Sequence, residues 1–213
     1  MLMVFVRKKI LSNEIKHHTL LHILTCAVIF LLIHILFGTG RLKKDTVLII
    51  TERFLPLMAV ILLTPCFEYE LEEGINEVIS SKSVPIICTY FIRLIWRIVL
   101  YILLSLIYIY ILKIKGSYMK FFSYAWESIS IGLFLGSLGL LVSGSTSNLI
   151  VGYLVSLVYY LSQWIIGWKA FGIFYLFRIG KGLEPMILFN ITISFILLSI
   201  VFLKKSVNGK LNV

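Results

Sequence analysis

Glu70, Glu73 and Glu77 fall at helical spacing, so one face of a helix over this stretch would carry all three carboxylates. Glu68 and Glu72 stand beside them, and these five are half of the chain's ten acidic residues. The chemistry open to such a face is ionic recognition, because a row of carboxylates meets Arg or Lys on a partner. The plainer alternative is a solvated charge cluster that keeps a loop out of lipid.

Other side chains carry weaker signals. Glu127 lies inside a long apolar run, directly after Trp126. A carboxylate buried in lipid is costly and often functional. Tyr124 and Trp126 are of the kind that collect at bilayer edges, so the preferred reading puts Glu127 at the interface, with a place on a substrate path as the alternative. Glu52 and Arg53 interrupt another apolar run and admit an ion pair between helices. Tyr153, Ser156, Tyr159, Tyr160 and Gln163 set polar atoms along a further run. They either line a path for an amphipathic substrate or mark a bilayer edge. Gly132, Gly136 and Gly139 form a stripe of small residues that permits close helix approach, within the chain or at a seam between two chains.

Several chemistries find no support. His18 and His22 are one turn apart, but no third ligand follows at suitable spacing, so no metal site is expected. Cys26, Cys66 and Cys88 are scattered in or beside apolar runs and form no CxxC pair. No Ser-His-Asp, Cys-His or HExxH arrangement emerges, and the expectation is a protein that is not an enzyme. A phosphate-binding G-x-x-x-x-G-K-[ST] loop is also missing.

The elements that must position these residues follow from composition. The chain of 213 residues is 60% hydrophobic and only 14% charged. Its uncharged runs recur along the whole length, which predicts one all-α, polytopic membrane domain. Six transmembrane helices are expected, over about 19–37, 47–67, 94–112, 121–142, 149–168 and 186–203. Pro56 and Pro65 kink the second span or mark its ends. Arg93 and Arg97 share a face, so the third helix is expected to start in water after Pro85 and to enter lipid near Leu94–Ile98.

Residues 1–18 mix apolar and basic positions and suit an interfacial helix. The first apolar run is long enough to span and lacks a cleavage site, so it is expected to stay attached. The segment 169–185 is too short to cross and reads as re-entrant or interfacial. The formal charge of +10 sits mostly at the ends of apolar runs, where Lys and Arg meet membrane lipids, and a nucleic-acid partner is not expected. With six spans both termini share a side. The basic residues divide evenly between the two sides, and only the N-terminal cluster favours cytoplasmic termini.

Six spans, a basic amphipathic start and the acidic insert after the second span together resemble the membrane subunit, or permease, of type-2 ABC exporters. In that family the insert reads as acidic residues, a Gly, a further Glu and a Ser/Pro break. Here these are Glu68, Glu70, Glu72, Glu73, Gly74, Glu77, Ser80, Ser81 and Pro85. The resemblance implies that 68–84 is a cytoplasmic coupling helix seated in a groove of a separate ABC ATPase subunit. It implies that 169–185 is a re-entrant extracellular element and that 1–18 is a membrane-surface connecting helix. ATP and Mg would then bind the partner ATPase and no cofactor this chain. A second permease copy or a sister permease would complete the path. The cargo would be an amphipathic peptide or lipid-like molecule, with antimicrobial peptide export or immunity as a setting. The outer turns are short and leave no room between spans for a large extracellular domain. The alternatives are a membrane immunity or lipid/peptide-binding protein without an ATPase, and a small secondary transporter.

Overall fold

The structure, a computed structural model, describes residues 20–38, 40–66, 86–177 and 190–201. The expected interfacial helix at 1–18 and the acidic segment at 68–84 lie outside the described residues, as does 178–185.

Seven helices appear among the described residues, and no strand does. They are α1 (Leu20–Phe37), α2 (Lys44–Cys66), α3 (Ile86–Ile114), α4 (Phe121–Thr146), α5 (Leu149–Ile165), the short α6 (Trp168–Phe171) and α7 (Asn190–Val201). The first four are long and apolar enough to cross a bilayer, while α5 and α7 are shorter. The chain reads as a helical membrane protein on these four helices.

Burial separates the roles of the helices. Helix α1 turns Leu20, Leu24, Leu31 and Ile35 outward and buries only Cys26 and Ile33. Phe30 stacks on Tyr108 of α3 at 5.0 Å, and Phe37 meets Phe54 of α2 edge-on at 5.4 Å. Such a helix sits at the rim of the bundle with its apolar side facing lipid. Helices α2 and α4 are the inner pair, and α4 packs against α2, α3 and α5.

The α4–α5 hairpin is closed by two residues. Ser147 takes a left-handed conformation (φ 52°) that ends α4. Asn148 caps α5, its Oδ1 accepting from the backbone N–H groups of Ile150 (2.9 Å) and Val151 (3.4 Å). The two helices then approach closely through Gly139 and Gly152. A Cβ on Gly152 would lie 2.7 Å from the Gly139 carbonyl oxygen. Such proximity needs two glycines face to face.

Helix boundaries differ from expectation in instructive places. Helix α2 begins at Lys44 rather than Val47, because charged Lys44 and Asp45 occupy its first turn at the lipid boundary. Helix α3, by contrast, starts at Ile86, right after Pro85 as expected, and is 29 residues long. Helix α5 stops at Ile165 instead of reaching Trp168, because Gly167 (φ 75°) breaks the backbone before α6. Helix α7 is described over Asn190–Val201 only, inside the expected 186–203.

Candidate functional site

Pro56 has no N–H to give the Glu52 carbonyl, and its ring crowds the turn before it. Helix α2 answers by widening into a π-turn over Ile50–Phe54, in which the Leu55 N–H reaches back to the Ile50 carbonyl. Such single π-turns reorient side chains and collect at functional sites. The residues reoriented here are the two charges in the interior of this span, Glu52 and Arg53. They lie about 12–14 Å along the helix from Lys44, from the 1.5 Å rise per residue.

Each charge is received by neighbouring elements. The Arg53 guanidinium lies over the Trp164 ring of α5 at 4.2 Å and near the Phe177 ring at 5.4 Å. Arginine on aromatic faces is attracted by the ring quadrupole, more strongly when water is excluded. Tyr160, one turn before Trp164, donates its hydroxyl to the Arg53 carbonyl at 3.0 Å. Glu52 is only 6% exposed. Tyr175 feels the charges of both Glu52 and Arg53.

The wall opposite is made by chain that turns back into the bundle. After α6 a 3-10 turn over Gly172–Phe174 leads to Tyr175, Leu176 and Phe177, all buried. These three pack with Val60, Ile131, Phe134, Leu135 and Tyr160. Gln163 holds the backbone of this segment, its Oε1 accepting from the Leu176 N–H at 3.3 Å. Tyr159 donates to the Phe174 carbonyl at 2.9 Å. The result is one carboxylate and one guanidinium, adjacent in sequence, set within an aromatic wall inside an apolar bundle. Such a cluster holds a cation on aromatic faces with a buried carboxylate beside it.

No family model, curated protein or solved structure matches this chain. What its residues do therefore rests on their own geometry.

The expected path residues are brought to the interior face of α5, with hydroxyls committed to backbone carbonyls. Ser156 donates to Leu135 at 3.1 Å, Tyr153 to Ile61 at 3.4 Å, and Tyr159 and Tyr160 as above. These bonds tie α5 to α2, to α4 and to the 172–177 segment. Tyr160, Gln163 and Tyr159 border the Arg53 site, whereas Ser156 and Tyr153 lie further along the helix.

Glu127 is fully enclosed by protein, which adds to the interfacial reading that a neighbouring part of the chain covers it. Depth and burial are separate matters here. It stands about 9 Å along α4 from its first residue, and protein covers it there. Around it the inner helix is unusually polar: Ser128, Ser130, Ser137 and Ser143 are also buried. Ser130 and Ser137 donate to carbonyls three residues back, Glu127 and Phe134, each at 2.9 Å. Tyr101 of α3 donates to the Ser128 carbonyl at 2.6 Å.

The glycine stripe is occupied by contacts within this chain. A Cβ on Gly132 would fall 2.0 Å from the Tyr101 hydroxyl oxygen, and one on Gly136 would fall 2.4 Å from a Leu63 methyl. One on Gly139 would meet the Thr64 and Ser156 hydroxyls, at 2.4 and 2.7 Å.

A second feature escaped the sequence. Arg97 is wholly buried, and its Nη1 donates to the Leu62 carbonyl at 3.2 Å. Leu62 is in the last α-helical turn of α2, where carbonyls lack helical partners and a cation is favoured. Ser143 of α4 donates to the next such group, the Thr64 carbonyl, at 3.2 Å. The end of α2 is thus held by both α3 and α4. The cluster Glu68, Glu70, Glu72, Glu73 and Glu77 with Gly74 follows immediately in sequence and lies outside the described residues.

Proposed function

We infer that this chain is the transmembrane permease subunit of an ATP-driven exporter of the type-2 ABC kind. In this reading it has six spans, an interfacial helix over 1–18 and a coupling helix within 68–84 that faces the cytoplasm. A separate ABC ATPase subunit holds ATP and Mg and docks on Glu70, Glu73 and Glu77. A second permease copy, or a sister permease, completes the path. The cargo is an amphipathic peptide or lipid-like molecule, as an antimicrobial peptide would be. This chain performs no catalysis itself.

The bracing of α2 is the observation that carries the reading. A coupling segment works only if a push on it moves the spans as a body. The acidic stretch leaves a helix end gripped by Arg97 and Ser143, from the two helices packed beside it. Force entering at 68–77 would pass directly to α2, α3 and α4. The Arg53 site, bounded by aromatic rings, suits a cargo that is part charged and part apolar.

Labelling tests the sidedness. Glu73→Cys, in a background with Cys88→Ser, is treated with an impermeant thiol reagent in intact cells and in inside-out vesicles. Cys26 and Cys66 are buried and contribute little background. Labelling in vesicles alone supports the reading, and labelling in intact cells contradicts it.

A second reading rests on the π-turn. A span locally rewound by a π-turn, together with charges inside the helices, here Glu52, Arg53, Arg97 and Glu127, is in keeping with an ion-coupled secondary transporter, whose sites use irregular helices and intramembrane charges. Transport that follows an imposed proton gradient without ATP would favour it.

A further inference from the structure

Two of the turns joining the helices act as one unit. The turn before α2 and the turn between α3 and α4 lie at the same end of the bundle and are hydrogen-bonded across it. The Arg41 N–H donates to the Lys115 carbonyl at 3.1 Å, and the Tyr118 N–H donates to the Leu42 carbonyl at 3.4 Å. The Leu42 N–H donates to the Ser117 hydroxyl at 3.2 Å, and Ser117 is itself buried. Gly116 (φ 78°) brings the second turn close to the Arg41 stem.

This joint carries a concentrated charge. Arg41, Lys43, Lys44, Lys113, Lys115 and Lys120 are all exposed, against the single carboxylate of Asp45. Arg41 is one of the described non-glycine residues with positive φ, at 47°. That backbone conformation is disfavoured for arginine and persists only where the surroundings enforce it. Here the bond to Lys115 enforces it. Six like charges on two flexible turns would drift apart, whereas tying the turns together holds the charges on one platform against their repulsion.

The platform also has a setting. Tyr118 and Phe122 beside it are 76% and 86% exposed, at the depth where a helix leaves the apolar core. Lys113 reaches over the Phe121 ring at 5.3 Å. Exposed rings at headgroup depth anchor a protein in the interface. Cations there meet the phosphates of the adjoining leaflet.

We propose that the joined turns 40–45 and 113–120 form a binding platform for anionic phospholipid headgroups. The lipid phosphates sit among Arg41, Lys43, Lys44 and Lys115, and the acyl chains run down beside the exposed rings. The platform holds the first and second hairpins together at this end, so its occupancy stabilises the bundle. It does not depend on what the chain transports.

The experiment uses the full chain, purified in a mild neutral detergent and supplied with phosphatidylglycerol or phosphatidylcholine. Bound lipid is counted by native mass spectrometry, and the thermal midpoint is followed as salt is raised. The expected result is retention of phosphatidylglycerol over phosphatidylcholine, with a rise in midpoint that fades at high salt. Arg41→Gln/Lys43→Gln/Lys115→Gln lowers that preference about tenfold or more, and the charge-keeping Arg41→Lys/Lys43→Arg/Lys115→Arg retains it. Should the triple neutral variant fail to fold, the exposed single changes Lys43→Gln and Lys44→Gln give the same readout in smaller steps. Equal retention of both lipids, or unchanged preference in the neutral variants, overturns the proposal. So does inorganic phosphate that raises the midpoint as much as phosphatidylglycerol, because the site would then serve a free anion.

Discussion

Arg97 on α3 donates a hydrogen bond into the last turn of α2, from Nη1 to the carbonyl oxygen of Leu62 at 3.2 Å. A fully buried guanidinium is costly in an apolar bundle and is kept where it meets otherwise unmatched acceptors. The end of a helix offers such acceptors. Arg97 therefore joins two helices at the point where the acidic stretch begins.

Arg97→Ala removes this joint and leaves a cavity, and it lowers stability by about 2–5 kcal/mol. Arg97→Lys keeps the charge with poorer geometry and falls between wild type and Arg97→Ala. In a Cys88→Ser background a thiol-reactive dye reports the transition in detergent, because Cys26 and Cys66 are buried in the folded chain. An unchanged midpoint for Arg97→Ala would remove the mechanical link from the end of α2.

Gly152→Ala places a methyl carbon 2.7 Å from the Gly139 carbonyl oxygen, and backbone cannot swing aside as a flexible side chain does. The cost is about 1–3 kcal/mol of overpacking. Gly40→Ala meets nothing within 4 Å and keeps wild-type stability. The same thermal measurement compares the two. Equal behaviour would show that α4 and α5 are not in close contact.

Arg53 and Trp164 should be energetically coupled. In a double-mutant cycle with Arg53→Gln and Trp164→Leu, the interaction amounts to about 0.5–2 kcal/mol. Tyr160→Phe loses the bond to the Arg53 carbonyl and costs about 1 kcal/mol. Additive single changes in the cycle would mean that Arg53 does not rest on the ring.

Some of this architecture is legible from residues alone. The uncharged run Leu20–Phe37 is found as expected, and so is the start of α4 at Phe121, directly after Lys120. The π-turn is not legible, although its cause is. Pro56 stands four residues after Glu52 and withholds the N–H that a regular helix would need. Whether a helix then kinks, ends or widens depends on what packs around it, here Tyr160, Trp164 and Phe177.

Burial of charge is harder still to read. Arg97 and Glu127 each lie on helices whose other faces meet the outside, so position along the span gives depth but not enclosure. The polar side chains of α5 could be located in sequence. Their carbonyl partners, 15 to 107 residues away, could not.

Docking of an ATPase on the acidic face is tested most directly by purifying the tagged full chain from its own membranes, identifying the bound subunits by mass spectrometry and assaying ATP hydrolysis. The expected result is a retained ATP-hydrolysing subunit that is lost on Glu70→Lys/Glu73→Lys/Glu77→Lys, while the thermal midpoint of the chain stays unchanged. A preparation that never holds such a subunit, or one that keeps it after the three reversals, would contradict the exporter reading.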